Sequence, residues 1–169
     1  MKKLLLKYPN HFLVHVGSIL EQNYHNEYLN EIEKIKQEFP SLNNRFIFYG
    51  SLDYPSYLGA LFQSDLVLNC SFSEGQFKAI LKAMGSKIIT LISRIERNKS
   101  ICEGKQTSIM FEGEEEFNDM YEKIFNNQID TTQLVENAYN KFQECYDFSI
   151  EKKGFSDLFS QVDCKTDQL

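Results

Sequence analysis

The residues best suited to bind a ligand lie in one short loop, Ser71 to Gly75, which reads Ser-Phe-Ser-Glu-Gly. This loop offers the hydroxyl groups of Ser71 and Ser73, the carboxylate of Glu74 and close backbone approach at Gly75. It leads directly into a segment of helical periodicity, so its polar groups stand at the positive end of a helix dipole. The same residue types also serve as ordinary helix caps, so this pattern leaves a binding role and a capping role both open.

Two further loops share the position of Ser71–Gly75 at the end of an apolar segment. They contain Gly17-Ser18 and Gly50-Ser51. In open α/β sheets, ligands bind beyond the carboxyl ends of the strands, where helix N-termini present unpaired N–H groups. The third loop carries more chemical groups than these two, and it is therefore the main candidate.

The elements that must position these loops alternate between short apolar runs and longer amphipathic ones. The apolar runs predict strands at residues 12–16, 45–49, 66–69, 88–92 and 109–111. Helical spacing predicts helices at residues 28–39, 57–62, 77–84, 114–125 and 132–146, with a last one ending near 159. Strands that are apolar on both faces and alternate with helices predict a doubly wound parallel α/β sheet, Rossmann-like in organisation.

The composition of the 169-residue chain predicts one globular domain over residues 1–160, followed by a polar tail at 161–169. A net charge of -6 argues against nucleic acid as a partner, because the phosphate backbone is itself anionic. The four cysteines are far apart in the sequence, as in proteins of a reducing compartment. No apolar run approaches the length of a membrane span, so we predict no membrane span and a cytoplasmic location.

The other side chains that could bind a metal, attack a substrate or contact a phosphate are better explained by ordinary structural roles. His11 and His15 lie on one face of a predicted strand, but a metal site needs more ligands, so we predict no metal. Cys70 has no histidine nearby in the sequence that could activate it. Lys78 and Lys82 share one helix face, and a solvated face is favoured over a phosphate contact.

The stretch from residue 65 to residue 84 carries a family resemblance. It reads D-L-V-L-N-C-S-F-S-E-G and then, from residue 79, A-I-L-K-A-M. This stretch resembles the strand, the S-x-S-E-G loop and the A-I-L-E-A-M helix of the group 1 glycosyl transferase family, which are retaining GT-B enzymes. Asn98, Phe111 and the acidic run before Phe117 continue the match in order. Over residues 12–159, the chain resembles the C-terminal, donor-binding domain of these enzymes.

The resemblance implies a donor site for a nucleotide sugar, with no other cofactor. In the family, one carboxylate engages the sugar hydroxyls, and Glu74 matches it. Ser73 belongs to the same loop, and the amides of Gly75 and Gln76 lie where the diphosphate would bind. A second carboxylate accepts hydrogen bonds from the ribose, but Lys82 stands at its position, and an ammonium group only donates.

The resemblance also implies a residue from a following loop, because Asn98 matches an asparagine there. The residue before it, Arg97, replaces the glycine that is usual in the family. The six donor-binding residues expected are Ser73, Glu74, Gly75, Gln76, Lys82 and Asn98.

The family's first strand, its basic loop and its acceptor domain have no counterpart in this sequence. GT-B catalysis takes place between two domains, so we expect a donor-binding half without catalytic residues, inactive alone and dependent on an acceptor-domain chain. The alternative is a non-catalytic nucleotide-sugar-binding or partner subunit. A dehydrogenase is disfavoured, because no G-x-G-x-x-G follows any predicted strand. Without the first strand, residues 12–16 either pair directly with 66–69 or leave a slot beside them.

Overall fold

A computed structural model describes residues 1–17, 22–71, 78–102, 106–150 and 152–153. The chain divides into two compact units, Met1–Leu61 and Phe62–Leu169, so the boundary between them falls inside the range of 1–160 for which the sequence predicts one domain. The predicted helix ending near 159 and the predicted tail at 161–169 lie outside the described residues.

The first unit contains a pair of parallel strands. Its elements are α1 (Lys2–Lys7), β1 (Leu13–Val16), α2 (Gln22–Glu38), a 3₁₀ turn (Pro40–Leu42), β2 (Phe46–Gly50) and α3 (Tyr54–Phe62), which ends at the boundary. Strand β1 pairs with β2 in parallel, and Leu13 lies opposite Phe46. Leu4, Leu5 and Leu42 are buried here, so the N-terminal helix is part of this unit's core.

Arg45 holds the N-terminal segment of this unit in place. Its Nη1 donates to the carbonyl oxygens of Leu5 at 2.6 Å, Tyr8 at 3.0 Å and His11 at 3.4 Å. Its Nε donates to the carbonyl oxygen of Ser41 at 3.1 Å. One guanidinium therefore satisfies carbonyl groups at the end of α1 and in the connection to β1, which have no helical partners.

An aromatic cluster joins α2 to the two-stranded sheet. The His15 ring lies 4.9 Å from Phe48 and 5.2 Å from Tyr28, centroid to centroid. Nδ1 of His15 is buried and has no hydrogen-bond partner within the described part of the chain. Desolvation therefore lowers the pKa of His15 below its ordinary value.

The second unit is a three-stranded parallel sheet with helices between its strands. Its elements are β3 (Leu66–Asn69), α4 (Lys78–Gly85), β4 (Ile89–Ser93), α5 (Glu96–Cys102), β5 (Ile109–Phe111), α6 (Gly113–Phe125) and α7 (Thr131–Cys145). The strand order is β3-β4-β5, and both pairings are parallel. The carboxyl ends of the three strands therefore lie at the same edge.

The core of this unit lies between α4, α7 and the sheet. Five buried residues form it: Ile80, Met84, Ile92, Ile101 and Ala138. Gly85 faces the ring of Phe142 so closely that a Cβ at position 85 would lie 3.0 Å from Cε1. The absence of a side chain at Gly85 thus lets α4 and α7 approach closely.

All five predicted strands are present, and every pairing is parallel, which confirms the α/β fold predicted from the sequence. Strand β1 has β2 as its neighbour and β3 has β4, so the described residues form two sheets. Direct pairing of residues 12–16 with 66–69 is therefore not found among them. Two helices, α1 and α5, add to those predicted from periodicity.

Candidate functional site

The candidate site is the edge of the second unit's sheet at which the parallel strands end. Strand β3 ends at Asn69, β4 at Ser93 and β5 at Phe111, with Ser93 and Phe111 directly opposite each other. This is the edge at which open α/β sheets bind their ligands. Four of the six predicted site residues lie outside the described residues: Ser73, Glu74, Gly75 and Gln76.

A chain of hydrogen bonds links the ends of β3 and β4 to α5. The Ser71 backbone N–H donates to Oδ1 of Asn69 at 3.1 Å, and the Ser71 carbonyl accepts from Oγ of Ser93 at 2.6 Å. Nδ2 of Asn98 donates to the Ser93 carbonyl at 2.8 Å and lies 3.4 Å from Oγ of Ser93. This series of hydrogen bonds therefore begins at Ser71, the first residue of the candidate loop.

Asn98 lies on helix α5 and not in a loop, which corrects the expectation taken from the resemblance. Its side chain is completely buried, at 0% exposure, although the family match implied a contact with the donor. Its Oδ1 is buried without a hydrogen-bond partner in the described part of the chain. Asn98 is therefore buried next to the candidate edge, where it bonds to the end of β4.

Lys82 lies in the last turn of α4, where a cation interacts favourably with the helix dipole. It is half-buried, whereas Lys78 at the first position of the same helix is exposed. The two lysines lie one turn apart, about 6 Å along the axis. The structure thus places Lys82 on α4 and Asn98 on α5, so the two expected donor-site residues belong to different elements.

Sequence reasoning missed one charged residue at this edge. Arg94 directly follows β4, and its Nη2 lies 2.5 Å from Oε1 of Glu116. Oε2 of Glu116 in turn accepts from the Glu112 backbone N–H at 2.7 Å. The only sequence clue was the position of Arg94 immediately after an apolar run, because the two partners are far apart in the chain.

The thiol of Cys70, one residue beyond β3, is not activated as a nucleophile. Cys70 is an exposed residue, but partial desolvation of its sulfur raises the pKa of the thiol. Because the thiolate is the reactive form, this shift disfavours nucleophilic attack near neutral pH.

The other two glycine loops end the strands of the first unit. The Gly17 backbone N–H donates to the Gly50 carbonyl at 2.8 Å. Both glycines have positive φ, at 136° and 64°, and glycine adopts these angles without the steric cost of a side chain. The positive φ accounts for glycine at both positions, while Ser18 lies outside the described residues.

An open cavity of about 410 Å³ lies at the opposite edge of the second unit's sheet, near the amino ends of β3 and β4. Asp65 and Lys87 line it. Nζ of Lys87 is already paired with Glu136, at 2.7 Å and 3.0 Å from its two carboxylate oxygens. This cavity is therefore distinct from the candidate site, because it lies at the other edge of the sheet and its lysine is already paired with a carboxylate.

No helix in the described ranges is long and apolar enough to cross a membrane. Within the same ranges, no three residues among His, Cys, Asp and Glu are grouped as they would be around a metal ion.

Comparison with known proteins relates this chain to a defined fold. No protein-family model matches the chain. The chain is 22% identical over 152 residues to glycosyltransferase 1 domain-containing protein 1 of Xenopus tropicalis, covering 90% of this chain and 42% of that protein.

Solved structures agree with the sequence comparison. HepE of Anabaena in complex with UDP-glucose superposes with a TM-score of 0.74 at 19% identity, over 95% of this chain and 44% of that one. The C-terminal domain of the Francisella tularensis glycosyl transferase group 1 family protein LpcC gives 0.69 at 18% identity, over 87% and 75%. The chain spans less than half the length of the Xenopus and Anabaena proteins. The likeness first recognised in residues 65–84 is thus confirmed, and the chain has the α/β fold of the C-terminal half of GT-B group 1 glycosyltransferases.

Proposed function

We propose that this chain binds a nucleotide sugar, as the donor half of a glycosyltransferase, at the carboxyl edge of the β3-β4-β5 sheet. The observation that carries the proposal is the position of Ser71, the first residue of the Ser-Phe-Ser-Glu-Gly segment, which lies at that edge two residues beyond β3. The fold is shared with HepE of Anabaena, whose structure holds UDP-glucose. Position and fold together favour a nucleotide sugar over other anionic ligands.

In this proposal, the loop before α4 makes the main contacts with the donor. Glu74 accepts hydrogen bonds from the sugar hydroxyls, with Ser73 beside it. The backbone N–H groups of Gly75 and Gln76 meet the diphosphate near the start of α4, where the helix dipole favours negative charge. Lys82 occupies the ribose end of the site and cannot accept from the ribose hydroxyls. We therefore expect weak binding.

We further propose that the chain does not transfer sugar by itself. Its relatives from Xenopus and Anabaena are more than twice as long as the part that this chain matches. An acceptor-domain chain would have to supply the other wall of a cleft between two domains. The alternative proposal is a non-catalytic nucleotide-sugar-binding or partner subunit, which the change from carboxylate to Lys82 favours.

Calorimetric titration with UDP-glucose, UDP and a GDP-sugar tests the binding proposal. We expect the wild type to bind at least one of them, and Glu74→Gln to weaken a sugar nucleotide by about tenfold or more, the range for a hydrogen bond to a charged group. Glu115→Gln, an exposed carboxylate in the first turn of α6, is the matched control and should bind like the wild type. Equal affinity of wild type and Glu74→Gln would refute the role of Glu74, and a wild type that binds no nucleotide sugar would refute the function.

A turnover assay separates the enzymatic and non-catalytic proposals. The purified chain should not consume the nucleotide sugar that it binds. Turnover that Glu74→Ala abolishes would show that the chain is active alone. Turnover that appears only on addition of an acceptor-domain chain supports the donor half, and binding without turnover in either case supports the non-catalytic alternative.

A further inference from the structure

We propose that Asn98 and Ser93 are positioning residues of the donor site, which fix the backbone at Ser71 and do not touch the nucleotide sugar. This inference rests on the proposed function, because it assigns these residues a task within that site. It differs from the role that the family match gives Asn98, which is a contact with the donor. The burial of Asn98 and the hydrogen bonds among Asn98, Ser93 and Ser71 distinguish a positioning role from a contact with the donor.

The burial of Asn98 argues against a direct contact. Its side chain has no exposed surface. Within the described residues, Nδ2 donates to Ser93, at 2.8 Å to the carbonyl and 3.4 Å to Oγ. A ligand at the edge of the sheet would therefore meet other groups before it could reach this carboxamide.

Ser93 carries the effect from Asn98 to Ser71. Its Oγ, which lies 3.4 Å from Nδ2 of Asn98, donates to the Ser71 carbonyl at 2.6 Å. Ser93 is the last residue of β4, and Ser71 lies two residues beyond the end of β3. The bond therefore connects adjacent strands just past the point where their sheet pairing at Asn69 and Ile92 ends.

Side chains fix both polar groups of the Ser71 backbone. Its N–H donates to Oδ1 of Asn69 at 3.1 Å, and its carbonyl accepts from Ser93. Beyond the sheet pairing, these two bonds set the orientation of the peptide groups at Ser71. The direction in which the chain leaves β3 toward the proposed donor loop is thus determined by Asn69 and Ser93.

Helix α5 is anchored firmly enough to serve as the base of this arrangement. Ile101 of α5 is fully buried in the cluster formed with Ile80, Met84 and Ile92. Nζ of Lys141 donates to the Ile101 carbonyl near the end of the same helix. Asn98 therefore projects from an element with its own packing, and its position does not depend on Ser71.

Amide hydrogen exchange, measured by NMR, reports the orientation of Ser71 without any ligand. Ser93→Ala removes the Oγ bond but leaves the Asn98 carboxamide in place, and Asn98→Ala removes the anchor of Ser93. Ser93→Thr keeps the hydroxyl group. Ser100→Ala is the matched control, because Oγ of Ser100 also donates to a backbone carbonyl, that of Arg97 at 2.7 Å, on the same helix.

We expect Ser93→Ala and Asn98→Ala to accelerate exchange of the Ser71 amide by about three- to tenfold, the range for one hydrogen bond. Neither variant removes the bond from the Ser71 N–H to Asn69, but without the bond to the Ser71 carbonyl the residue can turn and the N–H opens to solvent more often. They should weaken both UDP and UDP-glucose, because the proposed donor loop that follows Ser71 meets the diphosphate present in both ligands. The variant that combines Ser93→Ala with Asn98→Ala should bind UDP and UDP-glucose no more weakly than Asn98→Ala does, since both changes act on the same series of hydrogen bonds. Ser93→Thr and Ser100→Ala should match the wild type.

Several results would overturn the proposal. Unchanged Ser71 exchange in Ser93→Ala, or exchange raised uniformly over the second unit with a lower Tm, would show a merely structural role. Loss of UDP-glucose affinity with UDP affinity intact in Asn98→Ala would show a direct contact with the sugar. If the wild type binds neither nucleotide, the proposed function fails, while Ser71 exchange still decides whether Asn98 and Ser93 orient this backbone. If Asn98→Ala does not fold, Ser93→Ala decides alone.

Discussion

Lys82→Glu should strengthen nucleotide binding while weakening the fold. In the alignment that the resemblance implies, this substitution introduces the carboxylate expected of group 1 glycosyltransferases, and a carboxylate accepts hydrogen bonds from ribose hydroxyls whereas an ammonium group does not. Lys82 is half-buried in the last turn of α4. The change therefore acts on the proposed site and on the helix dipole together, with opposite signs.

The sizes of the two effects can be bounded separately. A hydrogen bond to a charged acceptor is worth about 1.5–3 kcal/mol, which is roughly a 10- to 150-fold gain in affinity. Repulsion of the diphosphate opposes it, at about 0.4 kcal/mol per pair of unit charges 10 Å apart in water, and salt screens it further. We expect a net gain on the order of tenfold for UDP-glucose. Exchanging a favourable for an unfavourable charge at the end of α4 should cost about 0.5–2 kcal/mol of unfolding free energy.

Calorimetry with UDP-glucose measures the gain, and urea denaturation measures the cost. Lys78→Glu is the matched control, since it makes the same charge change at the exposed first position of α4. There a carboxylate suits the helix dipole and a lysine does not, so stability should rise by about 0.5–2 kcal/mol, without any gain in affinity. If Lys82→Glu binds no better than Lys82→Gln, position 82 does not meet the ribose, and the register of the donor site is wrong.

Three further predictions concern stability. Arg45→Ala should lower the unfolding free energy by about 2–4 kcal/mol in urea denaturation, because it removes the hydrogen bonds to the carbonyl groups around α1. Arg45→Lys should recover only part of this loss, because an ammonium group cannot span the carbonyls that the guanidinium reaches; full recovery would show that the guanidinium geometry is not needed. Asp130→Ala should cost about 0.5–2 kcal/mol by the same measurement, because Oδ1 of Asp130 caps α7 by accepting from the Gln133 N–H at 3.0 Å; no loss would show that the cap is not needed. Burial lowers the pKa of His15, so the unfolded chain binds a proton at this histidine more readily than the folded chain does. Tm should therefore fall as the pH drops below about 6.5, and His15→Phe should reduce the dependence of Tm on pH. An equal dependence in both proteins would assign it to other groups.

The strands were predictable because the residues of each strand show the apolar pattern of a buried strand without reference to the rest of the chain. Residues 66–69 and 88–92 are apolar nearly throughout, as buried parallel strands are, and the chain between them has helical spacing. Helix α5 was not predicted, since Ile101 is the only aliphatic residue in Glu96–Cys102 and gives no periodicity. Contacts of Ile101 and Asn98 with the rest of the unit, which a local pattern cannot show, hold that helix.

The sequence indicated where a candidate site could lie, but not the contacts between the residues around it. The end of the apolar run at residues 66–69 indicated the candidate edge, and the family resemblance indicated Asn98; a ligand at this edge stays a prediction. The bond between Ser71 and Ser93 joins residues far apart in the chain, as does the pair formed by Arg94 and Glu116. Such contacts follow from strand order and register, which residue types alone do not specify.

The close approach of Gly85 to Phe142 has a consequence for how this fold can diverge. A methyl group at position 85 would meet the ring at 3.0 Å, so a lineage that gains alanine there must shift the ring or replace it with a smaller side chain. The two positions should therefore covary in homologues, with volume exchanged between them. A shorter side chain at 142 would in turn permit larger residues at 85, whereas glycine at 85 together with a small residue at 142 would leave a void between α4 and α7.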